Sequence, residues 1–258
     1  MLDFLDTLAM DATLTVDSGF YQTATTLTSL NLSLKKAIRQ CKNNAVIAEV
    51  KAASPSHGII RTNINPKEIA QALARAGAVG ISVLTEPKHF HGSLQNLIEV
   101  RQATKLPVLM KDIVIVLEQI EIAAQLGANA VLLIQALFDK GYCEMSVDKM
   151  ITYAHAKGLE VLLETHTAQE FKKAVETDAD IVGVNNRNLE NLKIDLCTTK
   201  EILQRHPKAG KTVISESGIK SSADLQFLRS CGAEAFLIGS SIMSNENVEL
   251  KVKEFVQA

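Results

Sequence analysis

The stretch Val46-Ile47-Ala48-Glu49-Val50-Lys51, followed at once by Ala52-Ala53-Ser54-Pro55-Ser56-His57-Gly58, begins as a buried strand and ends in charge. A strand repeats its side-chain direction every second residue, so Glu49 and Lys51 project to the same side of a sheet. Opposite charges placed where an apolar core should continue are costly unless they are paired or solvated. The pair therefore reads in two ways, as an internal salt bridge that closes the strand or as one edge of a site. What separates the two readings is whether the device recurs.

From about residue 45 onward, short Val/Ile/Leu-rich runs alternate with longer stretches of helical period. The runs are Ala45 to Val50, Gly80 to Leu84, Pro107 to Leu109, Ala130 to Ile134, Glu160 to Leu163, Ile181 to Val184, Thr212 to Ile214 and Ala235 to Ile238. Several are almost continuously apolar, the pattern of parallel strands covered on both faces. Helix signals fall between them: Asn65 is placed to cap a helix that has Pro66 at its first position and Gly77 at its end. Gly127, Gly158 and Gly232 occupy the same place before later strands.

Eight such units without a linker predict an α/β fold of the (β/α)8 TIM-barrel type rather than an open doubly wound sheet, which would carry a Gly-rich fingerprint after its first strand. Residues 1–258 are expected to form a single domain. Within it, residues 1–44 are read as extra helices packed on the barrel, because Leu2, Leu5, Leu8, Ala9 and Ala12 trace a helical stripe and Leu32 to Arg39 a second short segment.

The composition narrows the function. With 258 residues, 47% apolar, 22% charged and a formal net charge of −2, the chain is an ordinary globule with no general attraction for nucleic acid or anionic membrane. Any anionic ligand must be held by locally placed cations. Cys41, Cys143, Cys197 and Cys231 form no Cys-x-x-Cys pair, which argues against zinc or a disulfide framework and suits a reducing cytoplasm. Asp3 and Asp6 stand where a signal peptide would be basic, and no apolar run approaches a membrane span.

In barrels of this type the C-terminal strand ends build the site. Here Glu49 and Lys51 end the first strand, Lys111 and Asp112 the third, Glu164 the fifth, Asn185 to Asn188 the sixth, Ser215 to Gly218 the seventh and Gly239 to Ser241 the eighth. One charged strand end is unremarkable, and Lys111 could simply neutralise Asp112. Polar groups at six of eight ends are hard to explain by packing. Ser217-Gly218 and Gly239-Ser240 sit where such barrels bind phosphate on backbone amides, which implies a phosphorylated ligand. His89 and His91 flank Phe90, but no third ligand stands at metal-binding spacing, so no metal and no cofactor is expected. Lysine and glutamate acid–base chemistry is the economical mechanism.

These strand ends resemble the indole-3-glycerol phosphate synthase family. The matching stretches are Ile47-Ala48-Glu49-Val50-Lys51 with Ser54-Pro55-Ser56, Leu84-Thr85-Glu86 with Phe90-His91-Gly92-Ser93, Pro107 to Asp112, Val184 to Leu189, Ser215 to Ile219 and Leu237 to Ser241. The resemblance implies closure of the indole ring of 1-(2-carboxyphenylamino)-1-deoxyribulose 5-phosphate with loss of carbon dioxide and water. It implies Lys111 as general acid, Lys51 as holder of the substrate carboxylate, and Glu164 with Glu49 beside it as acid–base partner. Asn185 and Ser217 would position the reacting groups. Ser54, Arg187, Glu216, Gly218, Gly239 and Ser240 would bind substrate, its anionic ends above all, and Phe90, Leu132 and Leu189 would seat the aromatic ring. A monomer is expected, with association with other tryptophan-pathway enzymes left open.

The chain departs from the family pattern at Ala52 and Ala53, where a basic residue is frequent, at His57 for lysine, at Ile113 for phenylalanine, and in its acidic N-terminus. Weaker substrate binding rather than lost chemistry is the expected result. Two alternatives stand beside this reading. Phosphoribosylanthranilate isomerase relies on a cysteine at the end of its first strand, where this chain has Glu49-Val50-Lys51. A retired paralogue that only binds a phosphorylated ligand is opposed by Lys51, Lys111, Glu164 and Asn185, and favoured by Ala52, Ala53 and Ile113.

Overall fold

The first strand, β1 (Ala45–Val50), leads into a small antiparallel hairpin of β2 (Ala53–Ser54) and β3 (Gly58–Ile59). Seven further strands follow: β4 (Gly80–Leu84), β5 (Val108–Lys111), β6 (Ala130–Ile134), β7 (Glu160–Thr165), β8 (Ile181–Asn185), β9 (Thr212–Glu216) and β10 (Ala235–Ile238). Together with β1 they pair in parallel around a closed ring, in which β1 bonds to both β4 and β10. The architecture comes from a computed structural model that describes residues 3–28, 30–54, 58–62, 64–189 and 191–258. Leu2, Pro55, Ser56 and His57 lie outside the described residues, and Ser54 is placed by its backbone alone.

The helices before the barrel are α1 (Phe4–Asp17) and α2 (Leu34–Gln40). Those after β3 are α3 (Pro66–Arg75), α4 (Leu94–Ala103), α5 (Leu117–Gln125), α6 (Gln135–Asp139), α7 (Val147–Ala156), α8 (Ala168–Glu176), α9 (Cys197–Arg205), α10 (Ser222–Ser230), α11 (Ser240–Met243) and α12 (Val248–Gln257). Helix α3 begins as its sequence dictates, with the Asn65 side chain accepting from the Glu68 amide and Pro66 in the first turn.

The period of 2 sorts the strand residues into two cores. Val46, Ala48, Val108, Met110, Val131, Val161 and Val213 pack outward against Leu73, Leu97, Ile120 and Phe171 of the helical layer. Ala45, Ile47, Leu109, Leu132, Leu162, Ile214 and Leu237 fill the lumen. Full burial of each such side chain contributes about 1.5–3 kcal/mol. Because the lumen set is fixed by parity, Glu49, Lys111, Glu164, Asn185 and Glu216 fall on the same inward face at its upper end.

Four strands run further than their apolar runs suggest. β5 begins at Val108, not Pro107, and continues to Lys111, while β7, β8 and β9 reach Thr165, Asn185 and Glu216. Backbone pairing persists through the polar residues, as in Leu84 with Lys111, Ile134 with Glu164 and Asn185 with Glu216. An apolar pattern marks where burial is unpaired with charge, and the ladder does not need side-chain hydrophobicity to continue. The β2–β3 hairpin escaped notice because two-residue strands carry no period.

The two N-terminal helices grip opposite ends of the barrel. Leu5, Leu8, Ala9 and Ala12 of α1 join the lumen cluster together with Ile113 and Ile115 of the loop beyond β5 and Leu137 of α6. Asp6 receives hydrogen bonds from Lys140 and Tyr142, and Asp11 from Lys88, which ties α1 to the C-terminal rim. The connecting strap runs down beside α5: Gln119 donates to the Tyr21 hydroxyl at 3.0 Å, and Gln125 donates to the carbonyls of Thr23 and Thr25. At the N-terminal end Leu34 and Ile38 of α2 plug the lumen beside Ala45 and Val79.

Candidate active site

Lys111 stands at the centre of the upper lumen. Its ammonium lies 3.1 Å from Glu164 Oε2 and 3.5 Å from Glu216 Oε2. Lys51 pairs instead with Glu49, at 2.9 Å, and the Ser82 hydroxyl approaches the same carboxylate at 3.5 Å. All three carboxylates are almost wholly buried. Asp112 plays no part in this ring: its parity turns it outward, where it accepts from the Thr85 hydroxyl and the Ile113 amide. Neutralisation of Lys111 by Asp112 is thereby excluded.

Two inward glycines make room for the acids. A Cβ on Gly183 of β8 would collide with the Glu216 carboxyl, and one on Gly239 with that of Glu49. The carboxylates lie directly against the backbone at these two positions, one within β8 and one just past the end of β10, which only glycine admits.

Electrostatics divides the acids. Burial disfavours the charge on Lys111, but Glu164, Glu216 and Glu49 outweigh it and hold the ammonium protonated beyond its ordinary range. Burial would also raise Glu164, yet Lys111 and His166 overcome it and keep this carboxyl ionised, well below its usual value. Glu216 behaves oppositely: burial, with the charges of Glu164 and Glu49 added to it, exceeds the pull of Lys111 and pushes its carboxyl up to about 8. Among the described residues, neither Glu216 oxygen has a hydrogen-bond donor. The proton shared between the two acids therefore resides on Glu216 at neutral pH, and paired acids pushed apart in this way divide into a base and an acid.

Two cavities meet at Lys111. The larger, ≈ 250 Å³, is lined by Glu49, Lys51, Arg187, Glu216, Ser217, Gly218, Gly239 and Ser240. Ser217 and Gly218 both have positive φ, at 67° and 86°, and Gly239 caps the short helix α11, whose first amides have no partner within the helix. Polar groups and exposed amides make this the anion side. The smaller, ≈ 70 Å³, is mainly apolar, lined by Phe4 and Leu8 of α1 with Phe90, Ile113, Leu132 and Leu189, and by Glu164 and Asn185. Leu84, Lys111 and Arg187 line both.

Every residue to which the resemblance gave a catalytic or substrate-binding role, except Ser54, whose side chain lies outside the described positions, lines one of these cavities. The two readings of the first strand hold together: Glu49 bonds to Lys51 in an internal salt bridge, and both residues line the anion side. Asn185 accepts from the Arg187 amide at 3.0 Å, which fixes the turn carrying that guanidinium. Sequence reasoning missed Glu86, whose carboxylate accepts from the amides of Lys88, His89 and Phe90 and so shapes the loop under Phe90. It also missed Phe4 and Leu8, for which the stripe on α1 was the available signal, and Gly183. His89 is engaged with Asp11 at 2.8 Å and edge-on to Phe4.

The family model for indole-3-glycerol phosphate synthase matches residues 10–255. The chain is 43% identical over 229 residues to an indole-3-glycerol phosphate synthase of Methanocaldococcus jannaschii, covering 87% of this chain and 83% of that protein. A synthase of the same name from Aquifex aeolicus is 42% identical, with 86% and 84% covered. Among solved structures, a thiamine phosphate pyrophosphorylase from Pyrococcus furiosus superposes with a TM-score of 0.61 at 16% identity, over 86% of this chain and 96% of its own, a likeness of fold alone. By its sequence over almost its whole length, the chain belongs to the indole-3-glycerol phosphate synthase family.

Proposed function

We propose that the protein carries out its family's reaction, as a carboxy-lyase of tryptophan biosynthesis, by lysine–glutamate acid–base chemistry at the junction of the two cavities. The carboxyphenylamino ring occupies the apolar pocket between Phe90, Leu132 and Leu189, and the phosphate lies on the amides around Ser217, Gly218, Gly239 and Ser240. The ring carbon bearing the carboxylate attacks the ribulose carbonyl while Lys111 protonates the developing alkoxide. Carbon dioxide then leaves, and its bonding electrons restore the aromatic ring. Loss of water completes the indole: Glu164 takes a proton from the ribulose carbon bonded to the ring nitrogen and delivers it to the departing hydroxyl, which leaves as water as the ring double bond forms. Glu216 carries the spare proton that returns Lys111 to its charged form. Lys51 and Arg187 hold anionic groups of the substrate, Ser54 with them, and Asn185 and Ser217 orient the reacting atoms.

The observation that carries this reading is Lys111 held 3.1 Å from Glu164 and 3.5 Å from Glu216 where the anion side meets the apolar side. An apolar cavity of roughly 150 Å³ holds a benzene ring, so the pocket of ≈ 70 Å³ has to widen for the ring to enter. We also infer a cytoplasmic monomer built as one domain over residues 1–258, acting on a small phosphorylated substrate without a cofactor. Incubation with the carboxyphenylamino-ribulose phosphate should yield indole fluorescence. Tight binding without product at high enzyme concentration would instead make the chain a binding paralogue.

A further inference from the structure

Beside the reacting groups lies a buried titratable side chain to which the mechanism above gives no task. His166 follows Glu164 by two residues at the end of β7, so the two share one side of the chain as Glu49 and Lys51 do on β1. We propose that His166 is a positioning residue: its ring, clamped between Glu164 and Glu170, holds the Glu164 carboxylate aimed at Lys111.

The geometry is that of a relay of fixed partners. His166 Nε2 lies 3.3 Å from Glu164 Oε1 and Nδ1 lies 3.5 Å from Glu170 Oε2, ion-pair distances without hydrogen-bond alignment, and among the described residues neither nitrogen has a hydrogen-bond partner. Glu164 is thus claimed on both oxygens, Oε1 by His166 and Oε2 by Lys111 at 3.1 Å. Glu170 is anchored in turn in the first turn of α8, where it accepts from the His166 amide at 2.8 Å and the Thr167 hydroxyl at 2.9 Å. The helix N-terminus favours that negative charge. A ring with a carboxylate within ion-pair distance of each nitrogen attracts both only as imidazolium, because only then do both nitrogens carry a proton.

The remaining charged groups are consistent with this. Burial alone would discharge the ring, but the two carboxylates outweigh it and push its pKa up to about 9. On the far side His166 borders a cavity of ≈ 230 Å³ with Thr167, Glu201, Arg205 and His206, and Glu164 also faces Glu216 and Arg187.

The inference rests on the acid–base role of Glu164 given above. Ring-¹⁵N histidine NMR of the intact protein should show His166 protonated on both nitrogens at neutral pH and titrating only in the alkaline range. A neutral imidazole there would overturn the proposal without any variant. His166→Gln should lower kcat by about 10- to 10²-fold, the scale of a misplaced catalytic group, with KM little changed. The acid limb of its pH profile should move upward, because Glu164 has lost a neighbouring cation. Glu170→Gln should add a loss of activity as pH rises through the ordinary histidine range, since the ring loses the partner that keeps it charged. Wild-type kcat and an unmoved acid limb in His166→Gln would refute the role. Glu164→Gln separates the two levels: full activity removes the Glu164 assignment and this one with it, whereas an inactive Glu164→Gln beside a neutral His166 removes only the positioning.

Discussion

The two ends of the barrel both bury polar groups, and they treat them differently. At the N-terminal end each has its partners. Half-buried Glu160 accepts from the Ser33 hydroxyl and from the Lys35 amide at 3.0 Å, and buried Thr212 accepts from exposed Arg39 at 2.8 Å. Asn129 accepts from Arg101 and from the Val108 amide and donates to the Leu30 carbonyl. At the C-terminal rim the buried side-chain atoms lacking an aligned partner gather: Gln135 Oε1, both nitrogens of His166 and both oxygens of Glu216, the whole set among the described residues. Satisfied polar groups fix the fold, and unsatisfied ones mark where chemistry or ligand is to complete them.

That contrast breaks most sharply at Lys111. Lys111→Ala should lower turnover by about 10²-fold or more, the scale for a positioned acid, and steady-state indole fluorescence with a near-wild-type rate would assign the first proton elsewhere. At the opposite end, Asn129→Ala removes the acceptor of a buried guanidinium, and such hydrogen bonds carry about 1.5–3 kcal/mol. Urea denaturation should show a loss of that size while kcat is unchanged; a comparable fall in kcat would mean that the two ends are not independent.

The subtlest test is Glu216→Gln. The folded protein keeps the Glu216 proton up to about pH 8, whereas the unfolded chain releases it in the ordinary carboxyl range. The folded state therefore binds more protons across that window, and this group's contribution to stability falls as pH rises through it. The neutral amide has no such loss. Its melting temperature should gain on the wild type from about pH 5 to about pH 8 while turnover falls, and a gain that is the same at both ends of the range would contradict a protonated Glu216.

Much of this was readable in the chain. Strand positions followed from apolar runs, and the inward aim of Glu49 and Lys51 from parity alone. Lys111, Glu164 and Asn185 stood out because each interrupts an apolar run at the same end of its strand. What the chain could not disclose is which acid meets which lysine. Glu216 reaches Lys111, and Glu49 does not pair with Glu164, because strand stagger around the closed ring sets cross-lumen distances and no local pattern encodes them. The apolar stripe showed that α1 would pack, but only tertiary contacts put Phe4 and Leu8 over the site. His166 carries no signal of its own in the chain, because the second of its two carboxylates belongs to the following helix.

Gly183 and Gly239 bear on how this enzyme can be engineered. A glycine inside a strand weakens it, and exchange for alanine is a common route to a more heat-resistant protein. At these two lumen positions the same exchange would drive a methyl group into the Glu216 or Glu49 carboxyl. A thermostability screen that reads only folded yield would score such variants by backbone entropy and miss the displaced acid. Both positions should be held fixed in any consensus or alanine-replacement library, and selection there should be by turnover.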